Sequence, residues 1–548
     1  MWLENRMDRE ANINSIRALE NGIKEHEKAT AKLKRARNSL LNVSKLPPEV
    51  LGNIFRWNVS LRGDFGGLDR GSHNFLLVCH HWSEVASRTP ELWSFWGNAP
   101  EDWARWYRRS GTAPLDLVLG GSGYIERHFD TTLREVLKDR ATRDTIRRIH
   151  LTAGGTGLVK SILNTLTPNC DELRSNSIES FVLLNQSKAP VDFSKYFAHY
   201  RFPKLERITI YNCSISSWDH LTSRTSALTT LELDFTHPSP TSSPTPTVSQ
   251  LLSIFSSNPA LRKVCLLKRA VPDGDGGGDR ESSSRVQLHH LKELRLDGGL
   301  RHVFNILHQL DHPRNIDLSL TLRDCDSADV TQIVGPYLRD HIGRRDRAQD
   351  GLSLSVSSGY RTYRAPHVAL RLGKAGITNY SDQAQMQIGT FLAVTMLLNG
   401  SSRDIRERVV LDLVACTPRE EIVYFKAQSN PVATEDTCTR FSNVKALSYD
   451  NVPLSAAFPN PNLAGEGKIF PSLEYVSLER MDEDDWAPLM TFLTGRVSSG
   501  NRLDILVIGD SPDMPRRVEE RLQGMVRELK IDKTNPLLRL LDGNLDPF

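Results

Sequence analysis

The chain has 548 residues, of which 25% are charged and 39% hydrophobic, the proportions of a soluble globular protein with material for a large core. Its net charge of +3, from 69 basic and 66 acidic residues, gives no field able to hold nucleic acid by neutralising phosphates. No apolar run approaches the length that spans a bilayer, and the charged N-terminal residues lack a signal peptide's apolar region. We therefore expect neither nucleic acid nor a membrane as a partner.

The cysteines indicate a reducing compartment. Their number is odd and they are scattered along the chain: Cys79, Cys170, Cys213, Cys265, Cys325, Cys416 and Cys438. The sequence contains no CxxC pair and no Cys/His cluster. We therefore expect no disulfide framework, no metal site, and a location in the cytosol or the nucleus.

The first predicted element is a helix from Ile13 to Leu41, within an N-terminal segment of residues 1–44. A Lys/Arg-rich face runs from Lys24 to Arg37. Heptad positions hold five apolar residues and three polar interruptions: Ile16, Leu19, Ile23, His26, Thr30, Leu33, Arg37 and Leu40. Because a coiled coil needs a sustained apolar seam, the pattern favours a solvated helix, with a short coiled coil as the alternative.

Residues 45–97 predict a small helical unit. Pro47 and Glu49 suit the first turn of one helix, and Asn74 can cap a second. Thr89 can cap a third, short helix that carries Leu92, Trp93 and Trp96. The apolar stripes of the first two helices are Leu46, Val50, Leu51, Ile54 and Phe55, then Phe75, Val78, Cys79, Trp82, Val85 and Ala86. So small a unit cannot bury all of these side chains, so some should face a partner or a neighbouring domain. The alternative is that they pack only on the rest of the chain.

Three blocks in this unit, LPPEVLGNIF, LLVCHHW and TPELW, resemble an F-box in the longer-looped form seen in filamentous fungi, especially mushroom-type ones. The connection from Asn58 to Ser72 is longer and richer in glycine than in the family's compact form. The resemblance implies that the unit binds a small Skp-type adaptor and, through it, a cullin. By the family's pattern, the adaptor-facing residues are Leu46, Pro47, Val50, Leu51, Ile54, Phe55, Val78, Cys79 and Trp82.

Residues 98–114 predict a linking helix, and residues 115–548 predict an array of repeats. A short apolar strand, a turn and a helical or irregular return recur at roughly 24–36 residues, the range of leucine-rich and related repeats. The predicted strands are Leu115–Leu119, Arg147–Leu151, Ser180–Leu184, Glu206–Ile210, Thr230–Leu233, Arg262–Leu266, Lys292–Leu296, Ile316–Leu320, His367–Leu372, Val409–Leu413, Val444–Ser448, Glu474–Leu478 and Asp504–Ile508.

Segments such as LHHLKELRLDGG resemble the core of leucine-rich repeats, in the irregular form that often follows an F-box. One repeat cannot bury its own apolar face, so its neighbours must stack into a parallel sheet. We therefore predict an α/β protein: a small all-α F-box module followed by an α/β leucine-rich-repeat-like solenoid. The alternative is a generic α/β domain with the same strands. Loop insertions are expected near 237–247, 272–284 and 453–467, and a helix from Pro515 to about Ile531.

No catalytic, cofactor-binding or metal-binding residue is predicted. The stretch GGTGLVKS follows a predicted strand, but Val159 stands where a phosphate-binding loop needs glycine. Asp273, Asp275 and Asp279 lie among glycines without the spacing of a calcium loop, and His80-His81 and His289-His290 lack further ligands.

The two resemblances together imply a non-catalytic subunit of a Skp–cullin–F-box (SCF) ubiquitin ligase that binds an adaptor and an unknown protein target. The alternative is an F-box and repeat scaffold acting outside any ligase. An enzyme in the array and a nucleic-acid binder are two further hypotheses. Turnover by the purified chain would support the enzyme, and steeply salt-dependent binding would support the nucleic-acid binder.

Overall fold

The computed structural model shows a chain divided into two compact units, Met1–Ser216 and Ser217–Phe548. The residues it describes are 2–60, 70–96, 103–121, 137, 139–153, 160, 164, 173–174, 177–186, 191–192, 200–215, 218, 221, 225–235, 246–268, 270–272, 285–313, 315–325, 328, 330–343, 352–359, 367–374, 389–398, 409, 412–417, 419–428, 441–450, 452, 454–458, 469–509 and 514–532. The chain is an α/β protein with large parallel sheets, which confirms the predicted class.

The first unit begins with helices. They are α1 (Trp2–Ser39), α2 (Pro48–Ser60), α3 (His80–Ser87), α4 (Trp103–Ser110) and α5 (Arg140–Asp144), with 3₁₀ helices at Asn42–Lys45, Arg70–Leu77 and Pro90–Leu92. Two sequence predictions were wrong here. Asn74 lies inside a 3₁₀ helix, and α3 is capped instead by Cys79, whose Sγ accepts the Trp82 N–H at 3.5 Å. Trp96 lies in a short strand rather than in the third helix.

The sheet of the first unit is wholly parallel. Its strands, in spatial order, are β1 (Phe95–Trp96), β2 (Leu115–Gly121), β3 (Ile146–Ala153), β4 (Ser180–Asn185) and β5 (Arg207–Tyr211). Consecutive residues are buried in the middle of β4 and β5, so these strands are covered on both faces, as is usual for parallel strands. Two-residue strands also pair in parallel, Leu173–Arg174 with Tyr200–Arg201 and Val191–Asp192 with Cys213–Ser214.

The second unit holds a longer sheet. Its strands in chain order are β6 (Thr230–Phe235), β7 (Lys263–Lys268), β8 (Glu293–Gly299), β9 (Asp317–Cys325), β10 (Leu352–Gly359), β11 (His367–Lys374), β12 (Gly389–Leu398), β13 (Ile422–Gln428), β14 (Ala446–Asp450), β15 (Tyr475–Glu479), β16 (Ile505–Gly509) and β17 (Glu528–Asp532). A two-strand pair, Val286–Gln287 with Leu310–Asp311, is separate.

The order of these strands reverses once. Spatially they run β6, β7, β8, β9, β12, β11, β10, β13, β14, β15, β16 and β17. Strand β11 is antiparallel to both its neighbours, whereas the other pairs are parallel. A sequential solenoid would keep chain order throughout. The reversal therefore interrupts the simple stacking that the repeats predicted.

Helices connect several strands of this sheet. They are α6 (Val248–Ser257), α7 (Leu300–Gln309), α8 (Gly335–Gly343), α9 (Leu454–Ala457), α10 (Trp486–Ser498) and α11 (Arg516–Met525), with a π-helical turn at Val330–Val334 and 3₁₀ helices at Arg419–Glu421 and Glu483–Asp485. In α7, Leu300, Val303, Phe304 and Leu307 form a buried stripe that packs on β8 and β9.

The core of the second unit consists of aligned apolar rows running across neighbouring strands. Leu231, Val264, Leu294 and Leu318 occupy one row, and all four are buried. A second row, on the other side of the reversal, contains Phe425, Leu447, Val476 and Leu506. No single repeat can bury such a row by itself, so the strands depend on their neighbours for stability.

Three sequence predictions fail in the second unit or lie outside the described residues. The predicted strand Val409–Leu413 is wrong, because residues 409 and 412–415 are helical and the strand lies instead at β13. A short buried apolar run fits either structure. The predicted C-terminal helix ends at Met525, and strand β17 follows it. Most of the predicted insertions at 237–247, 272–284 and 453–467 lie outside the described residues.

One glycine in β8 is required by close packing. A Cβ added at Gly298 would lie 2.8 Å from both Cβ and Cγ1 of buried Val271. We expect Gly298→Ala to lower the free energy of unfolding by about 1–3 kcal/mol, because the added methyl group forces the backbone to shift. Urea denaturation measures the loss. Gly509→Ala is the matched control, since its nearest contact would be an ordinary 3.7 Å to Glu479; equal losses in both variants would refute the packing explanation.

Candidate functional site

Residues 42–60 and 70–96, here called the helical module, form a compact core. Phe55 of α2 stacks on Phe75 with ring centroids 4.6 Å apart, and Trp82 of α3 lies 5.1 Å from Phe55. Leu51 and Trp93 complete the centre of this cluster. Aromatic pairs of this kind add stability beyond the area they bury, so the three helical segments are fixed against each other.

The module is joined to the sheet through tryptophans. The Trp93 indole N–H donates to the Ala86 carbonyl at 2.7 Å, and the Trp96 indole N–H donates to the Trp93 carbonyl at 3.0 Å. Trp106 of α4 meets the Trp93 ring edge-on at 5.6 Å, and the Arg109 guanidinium lies 4.3 Å from its centroid. Since Trp96 also belongs to β1, which pairs with β2, the module is a direct extension of the sheet.

The structure divides the nine predicted adaptor-facing residues into three groups. Leu51 and Phe55 are 0% and 1% exposed, so both are core residues of the free module. Val50, Ile54 and Val78 are between 43% and 56% exposed. Pro47 is exposed as well, whereas Leu46, Cys79 and Trp82 are half-buried.

Two exposed apolar residues were missed by sequence reasoning. Trp57 is 72% exposed and Leu77 is 84% exposed. Trp57 lies three residues after Ile54, so helical spacing could have identified it as part of the same face. Leu77 follows the buried Phe75 in a 3₁₀ helix, whose geometry the predicted α-helix did not anticipate.

Val50, Ile54, Trp57, Leu77 and Val78 are here called the apolar patch. The first three lie at positions i, i+4 and i+7 of α2 and therefore share one helix face. The stacking of Phe75 on Phe55 brings the end of the 3₁₀ helix beside α2. Glu49, which precedes Val50 in the first turn of α2, is exposed as well. Exposed apolar residues that share a helix face are typical of a protein interface.

Buried charge in the second unit holds strands together rather than forming a reactive site. Asp234 pairs with Lys268 at 3.4 Å, Asp297 pairs with Arg323 at 2.8 Å, and Asp450 pairs with Arg480. Each carboxylate comes from one strand, and its cation lies on or directly after the neighbouring strand. Burial raises the pKa of Asp297, while Arg323 acts against that shift. Burial also raises the pKa of the Cys265 thiol to about 12, so this thiol is a poor nucleophile.

A cavity of about 400 Å³ lies on the helical side of the second unit. Its lining includes His308, His312, His341 and Tyr337, together with residues of the π-helical turn. The Tyr337 hydroxyl lies 3.4 Å from Nε2 of His312, and the Tyr337 and His341 rings are parallel with centroids 6.1 Å apart. The volume suits a small ligand. Among the described residues, no group of three or more His, Cys, Asp or Glu side chains could hold a metal ion.

The candidate site is therefore the apolar patch, because it combines exposure with a rigid support. None of the helices in the described ranges is long and apolar enough to cross a membrane. Neither a scan against models of protein families nor a search of curated proteins finds a match to this chain.

Proposed function

We propose that the chain is the substrate-recognition subunit of an SCF-type ubiquitin ligase, with the helical module as its F-box and the apolar patch as its docking surface for a Skp-type adaptor. The observation that carries the proposal is the exposure of the five residues of the apolar patch on a module that also has a closed core, formed around Leu51, Phe55 and Trp93. Large exposed apolar patches are rare on monomers, and burying this patch against an adaptor would stabilise the complex.

The strand arrays supply the second half of the proposal. We interpret their parallel sheets as a leucine-rich-repeat-like solenoid in which the strand order reverses once. This solenoid would bind a protein target. Because α4 and β1 tie the module to the sheet of its own unit, an adaptor bound at the patch would have a fixed position relative to that sheet. Bringing a target beside a conjugating enzyme raises the effective concentration of its lysines, and the chain itself supplies no chemistry.

Affinity purification of the tagged chain from its native cells tests this function. We expect an adaptor and a cullin to co-purify in near-stoichiometric amounts, together with a target protein. A variant of the chain that cannot bind the adaptor should still co-purify with the target. An adaptor without a cullin would support the alternative, a scaffold acting outside a ligase. Recovery of neither protein would contradict both hypotheses. A cytosolic or nuclear location of the complex is part of the proposal and can be read by imaging the same tagged chain.

A further inference from the structure

We propose that α1 pairs with the α1 of a second copy of this chain as an antiparallel coiled coil centred near Lys28. This inference is independent of adaptor docking, because α1 precedes the helical module. It predicts that the chain self-associates through residues 16–40.

The first observation is that α1 is exposed to solvent from residue 13 onward, where its burial is described. From residue 13 to residue 43, only Ala31 and Asn38 are even partly buried. The large apolar residues of the heptad seam are between 56% and 76% exposed: Ile16, Leu19, Ile23, Leu33 and Leu40. In proteins, a helix gains most of its stability from packing an apolar face, so α1 lacks its main source of stability while the seam from Ile16 to Leu40 stays uncovered.

The second observation is the distribution of charge along α1. Within the paired stretch, residues 16–27 contain three acidic and two basic residues, whereas residues 28–39 contain five basic residues and no acidic one. The basic residues of the second half are Lys28, Lys32, Lys34, Arg35 and Arg37. An antiparallel pair sets the acidic half of one copy beside the basic half of the other, whereas a parallel pair sets the basic halves together. This self-complementarity selects a second copy as the occupant and selects its direction.

The third observation concerns the polar residues that interrupt the seam. In a parallel pair, Arg37 would face Arg37 and repel it. In an antiparallel pair centred near Lys28, Arg37 faces Leu19 of the second copy. Its aliphatic stem can cover that leucine while its guanidinium reaches the neighbouring Glu20. The other layers become Ile16 on Leu40, Ile23 on Leu33 and His26 on Thr30, so each large apolar side chain except Leu19 meets another. These pairings follow from heptad spacing.

Sedimentation of the full chain tests the association. We expect a monomer–dimer equilibrium, and we expect Leu19→Asp/Leu33→Asp to weaken it at least about 100-fold by placing carboxylates in the seam. The matched control is Asn21→Asp/Ser39→Asp, which adds the same charges to exposed positions off the seam and should leave the dimer in place. Because α1 lies outside both cores, neither variant should change the thermal unfolding of the rest of the chain. A chain that stays monomeric at about 50 µM, or a dimer indifferent to the seam variant, would overturn the proposal.

Disulfide cross-linking tests the direction. In the antiparallel pair, residues 16 and 40 of the two copies are neighbours, whereas the two copies of residue 16 are about 36 Å apart. Ile16→Cys alone and Leu40→Cys alone should give no more cross-linked dimer than the wild-type chain, and the double variant should cross-link strongly. Cross-linking by either single variant would show a parallel pair and refute the assigned direction.

A charge-reversal variant distinguishes a second copy of α1 from a lipid surface as the binding partner of the seam. Glu20→Lys/Glu25→Lys/Glu27→Lys should weaken the dimer roughly three- to tenfold at low salt, and less at high salt, because it makes both halves basic. The same variant should bind vesicles of phosphatidylcholine and phosphatidylserine more strongly if a lipid surface is the real occupant. A monomeric wild-type chain that binds these vesicles would therefore replace the second copy with a membrane surface.

Discussion

Aspartate at both Ile54 and Val78 should abolish binding of a purified Skp-type adaptor. We expect a loss of at least about 100-fold, because docking would bury two carboxylates without partners, and buried interface anchors typically carry about 2 kcal/mol or more each. Both side chains are exposed in the free chain, so its fold should be unchanged. Calorimetric titration of the adaptor measures the affinity, and thermal unfolding of the same samples checks the fold.

Two controls separate the apolar patch from the core beneath it. Val497→Asp places a carboxylate at a comparably exposed apolar residue of the second unit and should leave adaptor binding intact. Leu51→Ala, in the closed core of the module, should cost about 2–5 kcal/mol of stability and lose binding through unfolding. If the double aspartate variant binds the adaptor at wild-type strength, the patch is not the docking surface.

The contrast between Leu51 and Ile54 marks the limit of what the sequence could predict at this site. The apolar stripe of α2 was read from periodicity, and so was the surplus of apolar surface. Val50 and Ile54 share one face of the helix, whereas Leu51 and Phe55 share the adjacent face, about 100° around the axis. The face of α2 that turns inward is the one on which Phe75 stacks. Phe75 follows the connection after α2, so this contact is not encoded in the local sequence of the helix.

The sheet of the second unit shows the same division between local and non-local information. Alternating segments such as KELRLDG predicted their strands because alternation is encoded within a few residues. The reversed order of β10, β11 and β12 could not be predicted in this way. Register and neighbour choice depend on pairing between distant segments, and β10 reads LSLSVSSG, in which small polar residues carry little signal for one neighbour over another.

Replacing Arg496 by leucine should open the local structure around α10. This guanidinium is 2% exposed and donates to the carbonyl oxygens of Ile469, Phe470 and Leu473, at 3.4, 2.9 and 2.8 Å. Phe470 has a φ of 45°, so the chain turn that Arg496 holds is one that a phenylalanine rarely adopts. Without the donors, the carbonyls of Ile469 and Leu473 lose these partners at about 1–3 kcal/mol each, whereas the Phe470 carbonyl still accepts the Leu473 N–H at 3.1 Å.

An opposing term reduces this cost. Burial lowers the pKa of Arg496 to about 10, which shows that the charged form is disfavoured at this position, and leucine would relieve that penalty. We expect the lost hydrogen bonds to cost more than the relief of the buried charge gains, for a net destabilisation of about 2–4 kcal/mol. Hydrogen exchange of the amides in α10 should then accelerate by roughly 30- to 1000-fold.

A second arginine provides the control for this prediction. Arg502 also donates to carbonyl oxygens, those of Gly524 and Val526, but it is exposed to solvent. Water can replace its hydrogen bond to the exposed Gly524, and only the bond to the buried Val526 is lost without replacement, so Arg502→Leu should change the exchange of its neighbours by only about 1 kcal/mol. If both variants accelerate hydrogen exchange equally, burial of the arginine does not determine the loss of stability. Arg496 would then not hold the turn before β15.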